Sequence, residues 1–202
     1  MSEIDLLDSN DDINYVLPGL KVIDNAFGDC DQFIQEALSK DGWGDGTAGG
    51  EVRQAIRNVK VLPIIPELTA PISWYMVSRG IMMHGKQYAN EYGAEVERME
   101  SPQILHYQAD QEGTSFYKPH FDHSTKHPRD FSAVLYLNTL EEGGETGFVH
   151  FGLNIKPIAG RLILFPANYM YLHEAHPPIS EDKFAVVTWF KFSDEVKEHG
   201  PH

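Results

Sequence analysis

The sequence has a single cysteine, few basic residues and no long hydrophobic run. Cys30 is the only cysteine among 202 residues, so no disulfide bond can form within the chain. No stretch of about 18 consecutive apolar residues is present, which argues against a membrane-spanning helix. The first residues, Met1 to Asp5, have neither the basic nor the apolar part of a secretion signal. We therefore expect a cytoplasmic protein without a membrane partner.

Basic residues are outnumbered by acidic ones. The chain has 16 Lys and Arg against 30 Asp and Glu, which gives a formal net charge of −14 at pH 7 with neutral His. Because nucleic-acid affinity depends on Lys and Arg neutralising phosphates, we predict no nucleic-acid partner. The length and the 42% of hydrophobic residues predict one globular domain over residues 1–202. Residues 1–17 contain five acids and no base, which predicts a flexible acidic leader.

Helical patterns come first in the chain and short β-like runs follow. Helices are predicted over residues 29–38, with Asp29 as N-cap, and from Pro66 and Pro71 to Tyr92, with Gly93 as its stop. Residues 41–50 contain five glycines and predict a flexible, functional loop. Strands are predicted at 20–24, 56–61, 104–108, 116–122, 131–138, 161–165 and 183–192. This order predicts an α+β chain built on a β sandwich or barrel.

A histidine and an aspartate predict a metal site. His120 and Asp122 lie two residues apart in a predicted strand, where alternate side chains point to the same face. A second imidazole would complete a set of two imidazoles and one carboxylate, which is typical of non-haem Fe(II) oxygenases. His173 and His176 are both candidates at this point.

A lysine in the last predicted strand suggests an anion site in the same protein. Lys183 and Trp189 have the same parity in this strand, so they face the same side. When 2-oxoglutarate chelates iron, its distal carboxylate becomes buried and has to be paired with a cation or hydrogen-bonded. The Lys183 ammonium group could meet that requirement.

These motifs resemble those of the prolyl 4-hydroxylase-like 2-oxoglutarate/Fe(II) dioxygenases. The likeness is strong over residues 101–192 and looser over residues 20–100. The matching segments are Leu105-His-Tyr-Gln108, Tyr117-Lys-Pro-His-Phe-Asp122, Ala133-Val-Leu-Tyr-Leu-Asn138, Glu142-Gly-Gly-Glu-Thr146, Gly160-Arg-Leu-Ile-Leu-Phe165, Leu172-His173 and Lys183 with Trp189. The resemblance implies an α+β fold with a double-stranded β-helix (jelly-roll) core and N-terminal helices packed on one sheet.

The resemblance also implies a role for particular residues. It places the iron ligands, which are the predicted catalytic residues, at His120, Asp122 and His173. His173 is preferred over His176 because only His173 keeps an interval of ten residues to the lysine. The predicted cofactor-binding residues are Lys183, Thr146, Tyr107 and Trp189.

The activity that the resemblance implies is hydroxylation of prolyl residues in a peptide or protein. It requires Fe(II), with 2-oxoglutarate and O2 as co-substrates and ascorbate as a candidate reductant. The 41–50 loop occupies about the place of a mobile substrate-gripping segment, and the acidic charge would suit a basic polypeptide. Three alternatives are the same chemistry on a free amino acid or small metabolite, a zinc hydrolase and a non-catalytic metal-binding β-barrel. The sequence carries no indication of an oligomeric state.

Overall fold

A computed structural model describes residues 13–64 and 72–194 of the chain. Its helices are α1, Cys30–Leu38, and α2, Ile72–Glu91, with short 3₁₀ helices at Val149–Phe151 and Tyr169–Tyr171. The first eight strands are β1 Ile13–Leu17, β2 Leu20–Ile23, β3 Gly44–Asp45, β4 Thr47–Ala48, β5 Glu51–Val52, β6 Arg57–Asn58, β7 Lys60–Pro63 and β8 Val96–Met99. The others are β9 Gln103–Tyr107, β10 Phe116–His120, β11 Phe131–Tyr136, β12 Thr146–Phe148, β13 Leu153–Ile155, β14 Leu162–Pro166, β15 His173–Ala175 and β16 Lys183–Phe192.

Two antiparallel sheets form the β part of the molecule. The larger sheet has the order β1-β2-β14-β11-β16-β9-β7-β3, with β8 also paired with β16. The smaller sheet has the order β13-β12-β15-β10-β6, and β4 and β5 form a separate pair. From β9 onward the chain crosses repeatedly between the larger and the smaller sheet. This is the double-stranded β-helix, or jelly roll, so the predicted fold class is confirmed.

Strand β16 separates the hydrophobic core from the cavity between the sheets. Phe184, Val186 and Phe190 belong to the same buried cluster as the helices. The alternate residues, among them Lys183 and Trp189, line the cavity on the other face. This alternation follows from the strand geometry, in which successive side chains point to opposite faces.

The helices contribute their apolar side chains to the cluster on the outer face of the larger sheet. Phe33 of α1 and Trp74 of α2 are fully buried there, with ring centroids 5.5 Å apart. Burying such a side chain contributes about 1.5–3 kcal/mol to stability. Asp29 lies at the predicted N-cap position of α1, but its φ of 53° is left-handed and its side chain forms no capping hydrogen bond. The predicted capping by this side chain is therefore wrong.

Close packing of α2 on β16 leaves no room for a side chain at one glycine of this helix. A methyl group added at Gly85 would lie 2.5 Å from ring carbons of Phe190, which is itself stacked on Phe131 at a centroid distance of 4.4 Å. Gly85→Ala should therefore lower the free energy of unfolding by about 1–3 kcal/mol, although alanine is the better helix former.

Gly80 in the same helix is the matched control, because nothing lies within 4 Å of a methyl group added there. Gly80→Ala should raise the free energy of unfolding by up to about 1 kcal/mol. Urea unfolding of both variants measures the two effects. Similar stability of the two variants would contradict the packing argument.

The structure differs from the sequence predictions mainly at the N-terminal end. Ile13–Leu17 forms strand β1, which pairs with β2 at the edge of the larger sheet, so this part of the predicted flexible leader is wrong. The 41–50 segment contains β3 and β4 rather than only loop. Residues 1–12 and the predicted helix start at Pro66 and Pro71 lie outside the described residues. Among the described helices, none is long and apolar enough to cross a membrane.

Candidate metal centre

The three predicted ligands lie together at the end of the smaller sheet. His120, at the end of β10, is paired with His173, at the start of β15, across two antiparallel strands. Asp122 follows β10, and its backbone N–H donates to the Ala167 carbonyl oxygen at 3.1 Å. One potential ligand atom from each of the three side chains lies within 4.8 Å of the others. The predicted set of two imidazoles and one carboxylate thus converges on one point.

Hydrogen bonds fix which nitrogen of each imidazole faces this point. His120 Nδ1 lies 2.8 Å from the Lys118 carbonyl oxygen, and His173 Nδ1 lies 2.9 Å from that of Tyr171. Because a carbonyl oxygen only accepts, both Nδ1 atoms carry the hydrogen and donate it. In the neutral form of this tautomer Nε2 keeps its lone pair, as a metal ligand requires.

The charges of His120 and Asp122 also suit a cation. Burial, reinforced by His173, lowers the pKa of His120 to about 3, so this imidazole is neutral. Burial alone would raise the pKa of Asp122, but His173, His120 and hydrogen bonds from Ser132 and Trp189 hold it below its ordinary value. Ser132 Oγ donates to Asp122 Oδ2 at 2.6 Å. A neutral imidazole at His120 and an ionised carboxylate at Asp122 are the protonation states that bind metal.

The donor set fits Fe(II). Two imidazole nitrogens and one carboxylate are the facial triad of non-haem Fe(II) oxygenases and leave coordination positions open for substrates. His120, Asp122 and His173 would hold the ion. Their individual roles as ligands and catalytic residues stay predictions.

A cavity of about 430 Å³ extends from these three side chains between the two sheets. Lys183 lies at its closed end, with only 2% of its surface exposed. Its Nζ donates to the Gly144 carbonyl oxygen at 2.5 Å and forms no ion pair with any described residue. Burial lowers the pKa of Lys183 to about 7, against the smaller opposing effect of Glu145. A buried cation without a counter-ion fits an anionic ligand such as 2-oxoglutarate.

The other predicted cofactor-binding residues line the same cavity. Tyr107 lies opposite Lys183 in the strand pairing, with its ring centroid 5.3 Å from Lys183 Nζ, and burial raises its pKa to about 12. Thr146 Oγ1 accepts a hydrogen bond from Tyr136 Oη at 2.7 Å. Trp189 lies nearer the metal centre, under the guanidinium group of Arg129. The structure brings these residues together, while their contacts with a co-substrate stay predictions.

One glycine near Lys183 is required by the backbone conformation. Gly144 has a φ of 76°, and a methyl group there would lie 2.7 Å from Leu140 Cδ2. Glycine adopts this conformation without the steric cost of a side chain. The turn presents the carbonyl oxygen that Lys183 contacts and leads directly into Thr146.

His176, the alternative ligand, lies apart from the metal centre. Its Nε2 is 3.3 Å from Glu174 Oε1 and its Nδ1 is 3.8 Å from Glu145 Oε2. The nearby Glu145 carboxylate is the main cause of the raised pKa of His176. The geometry therefore favours His173 as the second imidazole of the set.

Several residues that line the cavity were missed by the sequence analysis. Tyr117 precedes His120 by three positions, so strict alternation would place the two side chains on opposite faces. The strand pairing is irregular between them, and their rings stack with centroids 3.5 Å apart. Arg57, Glu100, Arg129 and Ser132 also line the cavity. Only Ser132, a polar residue within a hydrophobic strand, carried a signal that could have identified it.

The family comparison confirms the resemblance drawn from the motifs. Residues 102–191 match the model of the 2OG-Fe(II) oxygenase superfamily, and this match contains all three predicted metal ligands. That family uses Fe(II), 2-oxoglutarate and O2, as the sequence resemblance implied. No curated protein sequence matches the chain significantly.

Solved structures of prolyl hydroxylases share the fold. A viral collagen prolyl hydroxylase from Paramecium Bursaria Chlorella virus-1, in complex with 2OG, aligns with a TM-score of 0.65 at 24% identity over 85% of this chain and 94% of that one. A prolyl hydroxylase from Trichoplax adhaerens, in complex with a hypoxia inducible factor peptide fragment, aligns with a TM-score of 0.74 at 19% identity over 85% and 83%. A Pseudomonas putida prolyl-4-hydroxylase aligns with a TM-score of 0.62 at 20% identity over 86% and 92%.

Proposed function

We propose that the chain is a 2-oxoglutarate- and Fe(II)-dependent dioxygenase that hydroxylates prolyl residues in a peptide or protein. The observation that carries the proposal is the combination of two imidazoles, one carboxylate and a buried, unpaired lysine in one cavity. The family match supports the oxygenase chemistry. The prolyl substrate is supported by similar structures that are named prolyl hydroxylases, one of them in complex with a peptide.

The residues around the metal centre would bind the ion and orient its ligands. His120, Asp122 and His173 would hold Fe(II), which would supply the oxidation of 2-oxoglutarate by O2 to succinate and CO2, with insertion of one oxygen atom into a C–H bond of the substrate. Ser132 would orient the Asp122 carboxylate, and the carbonyl oxygens of Lys118 and Tyr171 would orient the imidazoles.

The closed end of the cavity would position the co-substrate. The Lys183 ammonium group would pair with the distal carboxylate of 2-oxoglutarate, with Thr146 and Tyr107 as hydroxyl partners. The apolar residues Leu105, Val134 and Val187 line the same space and would keep water from the reacting atoms. We also propose ascorbate as the reductant that keeps the iron in its ferrous state.

Mass spectrometry of proline-containing peptides tests the proposal. Peptides are incubated with the protein, Fe(II), 2-oxoglutarate and ascorbate in air, and succinate is measured in parallel. We expect a gain of one oxygen atom on proline, dependent on both iron and 2-oxoglutarate, and no gain on the same peptides with alanine in place of proline. Oxygen gain only on free proline would contradict a peptide substrate. Peptide cleavage with Zn(II) alone would contradict the oxygenase chemistry.

A further inference from the structure

A buried arginine in the catalytic cavity has no counter-ion. Arg57 is 8% exposed, and its guanidinium group donates from Nη1 to the Thr47 carbonyl oxygen at 2.8 Å. Its Nε is buried and has no hydrogen-bond acceptor among the described residues. No ion pair between described residues includes this side chain. A buried charge without a partner is costly, so the site is incomplete without an acceptor.

The other charged residues of the cavity already have partners or roles. Arg129 forms two hydrogen bonds with the Glu100 carboxylate, at 2.7 and 2.6 Å, so these two charges cancel. Asp122 belongs to the metal centre, Glu174 lies 3.3 Å from His176 Nε2, and Lys183 lies at the closed end where 2-oxoglutarate is proposed to bind. Among the described residues that line the cavity, Arg57 is thus the cation left over.

Arg57 is connected to the metal centre through Tyr117. It is directly paired with Tyr117 across β6 and β10, and its Cζ lies 4.8 Å from the centroid of the Tyr117 ring. The Tyr117 ring is in turn stacked on the imidazole of His120. Arg57 also donates a hydrogen bond to the Thr47 carbonyl oxygen. Thr47 lines the cavity together with the exposed glycines Gly49 and Gly50.

We propose that Arg57 determines specificity by receiving a carboxylate group of the prime substrate. The inference rests on the proposed function, because it assigns the substrate side of the same cavity. In a peptide the carboxylate comes from an Asp or Glu side chain that flanks the hydroxylated residue. In a free amino acid it is the α-carboxylate, and the test separates these two sources.

The chemistry of the guanidinium group favours a carboxylate over a neutral acceptor. Arginine presents parallel N–H donors that match the two oxygens of a carboxylate, and such charge-assisted hydrogen bonds are about twice as strong as neutral ones. The net charge of −14 repels acidic ligands at long range, but this repulsion is screened beyond about 8 Å at physiological salt. The preferred peptide should therefore carry one acidic residue in an otherwise neutral or basic sequence.

Peptide binding to wild type and variants tests this role. Short fluorescent peptides with one central proline carry Glu, or in matched copies Gln, at each other position in turn. Fluorescence anisotropy measures their affinity for protein loaded with Fe(II) and 2-oxoglutarate in the absence of O2. At one position we expect the Glu peptide to bind wild type at least about tenfold more tightly than its Gln copy.

Three variants determine whether Arg57 is the cause. Arg57→Gln should abolish the preference for Glu, and Arg57→Lys, which keeps the charge, should retain part of it. Arg53→Gln is the control, because Arg53 is exposed and paired with Glu51 in the same region. It should keep the full preference. The 2-oxoglutarate requirement should be the same in Arg57→Gln as in wild type.

Several results would overturn the inference. One is the absence of any Glu preference in wild type for all positions, together with no binding of free L-proline. Another is an unchanged preference in Arg57→Gln. A third is a raised 2-oxoglutarate requirement in Arg57→Gln, which would place Arg57 in the co-substrate site. Binding of L-proline that is lost in Arg57→Gln would instead support the anion site and assign it to an α-carboxylate. Failure of the proposed function itself would appear separately, as no oxygen gain on bound peptides.

Discussion

Alanine in place of His173 should lower iron-dependent turnover of 2-oxoglutarate by more than about 100-fold, whereas His176→Ala should keep most of the activity. Removing a mere hydrogen-bond partner of a metal ligand already costs about 10–100-fold in metal affinity or activity, so loss of a ligand should cost more. His176 contacts Glu174 and Glu145 instead of the metal centre. His120→Ala and Asp122→Ala should have the same effect as His173→Ala.

Metal binding separates this explanation from a general loss of structure. Titration with Co(II), followed by its absorption spectrum, should show one site in wild type and His176→Ala and a much weaker site in His173→Ala. Zn(II) should compete for this site without supporting turnover, because imidazole–carboxylate sites bind several divalent ions. Full turnover by His173→Ala, or loss of the metal site in His176→Ala alone, would mean that His176 and not His173 is the metal ligand.

Replacing Lys183 with alanine should raise the apparent requirement for 2-oxoglutarate by about 100- to 4,000-fold. Breaking a buried charge pair by removing one partner costs about 3–5 kcal/mol, and each 1.4 kcal/mol or so is about tenfold in affinity. Binding of Co(II) should change little, because Lys183 is not among the predicted metal ligands. Lys191→Ala, in the same strand and paired with Glu97 and Asp194, should leave the requirement unchanged.

The pH dependence of co-substrate binding gives a second measure of the same residue. Since the pKa of Lys183 in the free protein is about 7, its ammonium group is formed below that pH and is lost above it. Binding of the carboxylate favours the charged form, so at higher pH the protein must take up a proton as it binds. The dissociation constant for 2-oxoglutarate should therefore rise by up to about tenfold per pH unit above 7.

Calorimetry without O2, in buffers of different ionisation enthalpy, counts the protons taken up. Above pH 7 we expect uptake approaching one proton per 2-oxoglutarate in wild type. Lys183→Arg should show none, because a guanidinium group stays charged throughout. Equal proton uptake by wild type and Lys183→Arg would mean that a group other than Lys183 takes up the proton.

The sequence predicted those parts of the structure that depend on regular alternation. The parity of Lys183 and Trp189 in β16, and that of His120 and Asp122, placed these side chains on the cavity side as the structure has them. The hydrophobic strands of the larger sheet were also predicted, because they are buried on both faces. The interval of ten residues between His173 and Lys183 identified the second imidazole only with the help of the family resemblance.

The missed features depend on contacts between distant segments. The short strands β12, β13 and β15 have too few residues to show a period, and their pairing is set by the chain crossing between sheets. The stack of Tyr117 on His120 needs an irregular strand pairing that the sequence does not show. Arg57 enters the cavity because β6 pairs with β10, far along the chain. Tyr117 and Arg57 are thus located by pairing rather than by local pattern.

Strand β16 contributes one face to the hydrophobic core and the other to the cavity, so its pairing affects stability and activity together. A shift of its pairing by a single residue would turn Lys183 toward the helices and Phe184 toward the cavity. The same error would bury the Lys183 ammonium group among apolar side chains and remove from the cavity the cation proposed to bind 2-oxoglutarate. A misaligned molecule would therefore be both unstable and inert, and partially active folding errors should not accumulate.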